Sequence, residues 1–131
     1  MENRPTKILL VDDEKSLLNN LVRFFEDEGY CVLIANNGEE ALDILSKEQV
    51  DGAIVDMRLP GIDGNEVILQ AHRMQPKIKF IIHTGSTNYF LPIALRDLGI
   101  VDGQIHIKPV ADLACLSEHM QRLIQGQDYA S

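Results

Sequence analysis

The chain is short of positive charge. Lys and Arg total 12 against 20 Asp and Glu, a net charge of −8. A nucleic-acid surface wants a basic patch, so direct binding to DNA or RNA is disfavoured. An anionic membrane surface is disfavoured for the same reason. Long apolar runs are also missing: no stretch approaches the roughly 18 residues of a membrane span. The apolar run after "MENRPTK" is too short for a signal peptide, so the expected compartment is the cytoplasm. Cysteine is scarce, with Cys31 and Cys115 far apart and in no metal-like spacing. Both are expected to be reduced and structural, behaving as small buried hydrophobes. Internal repeats, low-complexity segments and linkers are absent.

What is present suits one compact domain. The 131 residues are 45% apolar and 24% charged. At this size roughly two thirds of the unfolded surface can be buried, so a core needs no staples. The expected core runs from about 6 to 125, with 126–131 a polar, frayed tail.

Short apolar runs alternate with helical patterns. "KILLVD" (7–12) is too short for a helix and reads as a strand buried on both faces. "CVLIA" (31–35), "GAIVDM" (52–57), "KFIIHT" (79–84) and "QIHIK" (104–108) read the same way. Between them, 14–28 places Leu17, Leu18, Leu21, Val22, Phe24 and Phe25 on one helical stripe, and Gly29 stops it. A short helix follows at 38–48, with Ala41, Leu42 and Leu45 inward. Another spans 65–75, with Val67, Ile68, Ala71 and Met74 inward. The last spans 111–125 through Leu113, Leu116, Met120, Leu123 and Ile124. Pro92 cannot sit deep inside a helix, so the fourth helix is expected to be short and to start near Leu91. Five strands alternating with five helices predict a parallel α/β sheet with helices on both faces. In such a sheet the carboxyl ends of the strands open on one edge, where ligands bind.

The residues closing each strand then share that edge. The first strand ends in Asp12 and Asp13, the third in Asp56, the fourth in Thr84 and the fifth in Lys108. Singly, each has an ordinary explanation: a helix cap, a turn, a β-former, a solvated strand end. Together they place three carboxylates, a hydroxyl and an ammonium around one crevice. Two carboxylates about 4 Å apart repel by roughly 4 kcal/mol at an effective dielectric near 20. Lys108 offsets part of that, and a divalent cation offsets the rest. An all-oxygen site that keeps water suits Mg²⁺. A cation beside a further carboxylate, a lysine and a hydroxyl is equipment for phosphoryl transfer, with an aspartyl phosphate as the covalent product.

The motifs "VDDE" (11–14), "VDMRLPGIDG" (55–64), "HTGS" (83–86) and "IKP" (107–109) resemble a receiver domain of a two-component response regulator, of the chemotaxis-receiver type. The resemblance implies a flavodoxin-like, doubly wound sheet in the order 2-1-3-4-5. It implies Asp56 as phosphoacceptor and also as a Mg²⁺ ligand, Asp13 as a direct Mg²⁺ ligand and Asp12 as a largely water-mediated one. The backbone carbonyl of Arg58 would complete the protein ligands. Thr84 would hydrogen-bond the new phosphoryl group and Lys108 would pair with it. A cis Lys108–Pro109 bond is implied as well. The implied partners are a sensor histidine kinase or a histidine phosphotransfer protein, and a downstream target or an output domain outside this chain. The implied state is a monomer or a phosphorylation-dependent dimer, and the implied activities are self-phosphorylation from phosphodonors and autodephosphorylation.

Departures from the family pattern are visible. Ile105 stands where receivers carry Tyr or Phe, three residues before the lysine, with His106 beside it. The segment "LGIVDGQIHIKP" is longer than usual, so the face formed by the fourth helix, fifth strand and fifth helix is expected to be atypical. His83 precedes the threonine and is expected to point away from the crevice; His72, His106 and His119 are scattered. Rival readings are a haloacid-dehalogenase-type phosphatase, a flavin or nucleotide module, and a degenerate receiver used only for docking. The phosphatase reading lacks its Asp-x-Asp at the first strand, and the nucleotide reading lacks a Gly-rich cradle. No output segment follows the fifth helix, so the chain is expected to act through protein contacts or to be a fragment of a longer regulator.

Overall fold

A computed structural model describes residues 4–126. The elements are β1 (Lys7–Val11), α1 (Lys15–Asp27), β2 (Cys31–Ala35), α2 (Gly38–Leu45), β3 (Gly52–Val55), α3 (Gly64–Met74), β4 (Lys79–Thr84), α4 (Ile93–Arg96), β5 (Ile105–Ile107) and α5 (Ala114–Ile124). A 3₁₀ turn, Asp102–Gln104, leads into β5. All strand pairs are parallel, in the order β2-β1-β3-β4-β5. The expected doubly wound α/β architecture is therefore the observed one. Among the described residues, no helix is long and apolar enough to cross a membrane. Most of the polar tail expected at 126–131 lies outside the described residues.

Strand alternation divides the core into two layers. Leu9, Val11, Val55 and Phe80 pack with α2 and α3, while Ile8, Leu10, Ile54 and Ile81 pack with α1 and α5. Strands buried on both faces need apolar residues at every position, which is why they read as unbroken runs. At the edge, β2 is less covered, and Ile34 is exposed. Gly29 stops α1 with φ of 95°, a left-handed conformation that costs glycine little.

The helix α3 starts on a cap. Asp63 accepts a hydrogen bond from the Glu66 amide at 3.0 Å. Asp63→Ala is expected to cost about 1 kcal/mol, read as a lower urea midpoint at unchanged slope.

Several boundaries differ from the sequence reading. Met74 was expected inward and is exposed. The neighbouring Gln75 fixes the end of α3 instead: its amide group donates to the carbonyls of Leu45 and Glu48 and accepts from the Val50 amide. The last helix starts at Ala114 and not at 111, because the Asp112 side chain accepts the Ala114 amide and makes a turn. Gln104 is not part of β5. Its side chain donates to the Phe80 carbonyl and accepts from the Val101 amide, a side-chain substitute for strand pairing. Cys31 is half-buried and Cys115 exposed, so the expectation of a buried structural role fails for Cys115. The fourth helix is as short as Pro92 predicts, four residues with Pro92 just ahead of it.

Candidate functional site

The strand ends deliver their side chains to one pocket. The Asp12 amide donates to the Ala35 carbonyl at 3.1 Å, and the Asp56 amide to the Val11 carbonyl at 2.9 Å, so sheet pairing continues one residue past each strand. The Lys108 amide likewise donates to the Thr84 carbonyl at 2.8 Å. These bonds fix where the three side chains leave the backbone. The Lys108–Pro109 bond is cis, as the resemblance implied.

Asp12, Asp13 and Asp56 each offer a carboxylate oxygen within 4.8 Å of the others. Asp12 and Asp56 are buried, at 3% and 5% exposure, while Asp13 faces solvent. The Lys108 ammonium lies 2.7 Å from Asp12 Oδ2 and 3.3 Å from Asp56 Oδ2. The other oxygen of each buried acid meets a backbone donor. Asp12 Oδ1 accepts from the Glu14 amide at 2.9 Å, and Asp56 Oδ1 accepts from the Arg58 amide at 3.2 Å. Burial pushes the Asp12 carboxyl above its ordinary range, against the pull of Lys108 and the Glu14 amide. Burial works against the Lys108 charge, but the surrounding carboxylates outweigh it and hold its pKa above the ordinary value.

Thr84 is fully buried, and its hydroxyl accepts from the Ser86 amide at 3.2 Å. Arg58 contributes its backbone to the pocket and holds its side chain in solvent. The structure thus brings Asp12, Asp13, Asp56 and Lys108 together, with the Arg58 amide on Asp56 and Thr84 joined to Lys108 through its carbonyl. Alternation places His83 on the Ile81 side of the sheet, beside His106 in register. Burial first, then Lys108 and His106, pull its pKa down to about 4, so it stays neutral. Both its ring nitrogens are buried without a hydrogen-bond partner, which nothing in the structure explains. His106 Nε2 and His119 Nδ1 are 2.8 Å apart and tie β5 to α5.

One residue escaped sequence reasoning. Glu14 reaches Lys108, with Oε1 3.3 Å from the ammonium. The only signal was the third acid in "VDDE", which reads equally well as a helix start.

The donor set fits a hard divalent cation. It is all oxygen and converges from two strand ends, and Mg²⁺ takes a few carboxylates while keeping its remaining waters. Fold and pocket together define a class: a doubly wound α/β protein with an acid–lysine pocket at the carboxyl edge of its sheet. Residues 8–119 match the family model described as the response regulator receiver domain. The chain belongs to that family, whose members receive phosphoryl groups in two-component systems and bind Mg²⁺ at an acidic pocket.

Relatives extend the comparison. The chain is 38% identical over 100 residues to the transcriptional regulatory protein GlrR of Escherichia coli, covering 76% of this chain and 22% of that one. It therefore spans about a fifth of that relative's length. A CheY-like receiver domain from Methanospirillum hungatei superposes with a TM-score of 0.83 at 30% identity, covering 95% of this chain and 97% of that one. The response regulator TrrA of Thermotoga maritima, solved in complex with Mg²⁺ and BeF, superposes with a TM-score of 0.77 at 29% identity, covering 90% and 98%. The family match sets the phosphatase and nucleotide-module readings aside.

Proposed function

We propose that Asp56 is the phosphoacceptor of a cytoplasmic two-component relay, and that Asp12, Asp13 and the Arg58 carbonyl hold Mg²⁺ beside it. One observation carries this reading: three strand-end carboxylates within 4.8 Å of one another share a pocket with an ammonium 2.7 and 3.3 Å from two of them. A partner histidine kinase or phosphotransfer protein presents a phosphohistidine. An Asp56 oxygen attacks phosphorus in line, the P–O bond forms as the P–N bond breaks, and the leaving imidazole takes a proton from solvent. Bound Mg²⁺ would supply charge neutralisation for the phosphoryl oxygens.

The chain's own groups do the rest. Lys108 neutralises a second share of the developing charge. The Arg58 amide orients the unreacted carboxylate oxygen of Asp56. Thr84 donates its hydroxyl hydrogen to a phosphoryl oxygen, and the movement that brings it there shifts the oxygen on which the Ser86 amide rests, which biases the loop that follows. The added group carries roughly two negative charges near neutral pH. It reaches a downstream target or output domain by favouring one conformation over another. Hydrolysis of the acyl phosphate resets Asp56. The relative covered to only a fifth of its length supports an output domain elsewhere in a longer regulator.

Asp13→Ala tests the cation part. At a free Mg²⁺ concentration ten times Kd, wild-type stability is expected to rise by about 1.4 kcal/mol through mass action. The variant is expected to show no such rise over the same range in thermal unfolding. An equal rise in both proteins removes Asp13 from the cation site.

A further inference from the structure

The Lys108 ammonium has three N–H donors, and three carboxylates surround it. They are Asp12 Oδ2 at 2.7 Å, Asp56 Oδ2 at 3.3 Å and Glu14 Oε1 at 3.3 Å. When Asp56 receives a phosphoryl group, Lys108 must turn at least one donor toward it. The three acceptors are not equivalent. Asp12 is buried and held by a backbone amide, and Asp56 is the group being modified. Glu14 lies outside the acid trio, and its side chain is 61% exposed at the solvent side of the pocket.

Its position in the chain makes this contact unusual. Glu14 occupies the residue ahead of α1, where Ser, Thr, Asp and Asn cap well and the longer Glu does not. Here the Glu14 side chain makes no capping hydrogen bond. It turns to Lys108 instead, across 94 residues of sequence. With no local cap to make, its side chain is placed by the ammonium that the transfer step needs.

We propose that Glu14 is a positioning residue for phosphoryl transfer: it holds the Lys108 ammonium toward the pocket mouth and competes with the incoming phosphoryl oxygens for it. This rests on Asp56 being the acceptor. Glu14 touches neither the reacting carboxylate nor the cation ligands through its side chain; it acts through Lys108. The consequence is a brake on loading that spares the fold, because a mostly exposed side chain contributes little to stability.

The test follows Asp56 loading from a small acyl phosphate with Mg²⁺. In that reaction the donor's P–O bond breaks, its carboxylate leaves, and a P–O bond to Asp56 forms. Glu14→Gln keeps the length and removes the charge. Glu14→Asp keeps the charge and shortens the reach by one methylene. If Glu14 acts by holding Lys108, both variants load faster, by about two- to five-fold, the range one exposed ion pair supports. A second readout needs no donor: the ¹⁵N shift of the Lys108 ammonium moves in both variants. The proposal is overturned if loading is unchanged or slower in either variant, or if the Lys108 resonance stays in place. An effect confined to Glu14→Gln means general repulsion of an anionic donor, and it too overturns the positioning role. Loading of wild type but not of Asp56→Asn keeps the receiver reading intact whatever Glu14 does; loading of neither sinks that reading itself.

Discussion

Asp56→Asn is expected to abolish acid-labile phosphoryl labelling by an acyl phosphate donor in the presence of Mg²⁺. The amide is nearly isosteric, so the hydrogen bond from the Arg58 amide has an oxygen to reach, but the nucleophilic charge is gone. Labelling at the wild-type extent would exclude Asp56 as the acceptor. The same substitution removes one of three clustered negative charges. The pocket then keeps Asp12 and Asp13 beside Lys108, so a folded, unlabelled protein is the expected result. Circular dichroism of the Asp56→Asn protein under the labelling conditions separates that result from simple unfolding.

Gly64→Ala is expected to be nearly as damaging, through the backbone. Gly64 opens α3, and its amide donates to the Met57 carbonyl at 3.2 Å. A Cβ on Gly64 would overlap the Asp56 carbonyl oxygen and lie 2.8 Å from Met57 Cα. Neither atom belongs to a flexible side chain, so the acceptor strand itself must shift. Overpacking of this kind costs typically about 1–3 kcal/mol. Because a displacement near 1 Å in a reacting group can cost about 10²-fold in rate, loading of Asp56 is expected to fall by that order. Single-turnover labelling beside a urea melt reads both effects. Wild-type loading in a folded Gly64→Ala protein would show that the approach of α3 to β3 does not position the acceptor.

The strand ends were legible because of how this sheet is buried. Strands covered on both faces appear as apolar runs, and the first acid, hydroxyl or lysine after each run marks the carboxyl edge. The sequence by itself puts Asp12, Asp56, Thr84 and Lys108 at one rim. Strand order was not legible from the residues and came only with the family resemblance. What failed was decided by contacts between distant segments. Helical spacing put Met74 inward, but Gln75 ties the end of α3 to the segment after α2 and turns Met74 out. Gly64 reads as turn punctuation, while its need for a bare Cα comes from the carbonyl of Asp56. Glu14 reads as part of a helix start, and nothing local reveals that Lys108 will claim its side chain.

The stretch between β4 and α4 is anchored in the core by Leu91 and tied by a few hydrogen bonds besides. Ser86 is pinned to the Thr84 hydroxyl at 3.2 Å, and the Tyr89 hydroxyl to Asn65 Oδ1 at 2.7 Å. Beyond these, Phe90 and Ile93 stand 77% and 75% exposed on a helix of a single turn. Each of these hydrogen bonds contributes about 1 kcal/mol net, less than the roughly 1.5–3 kcal/mol that burying Leu91 contributes. If Thr84 answers the phosphoryl group as proposed, the segment it leads into carries the signal to the solvent-facing Phe90 and Ile93, an apolar patch that a partner would read.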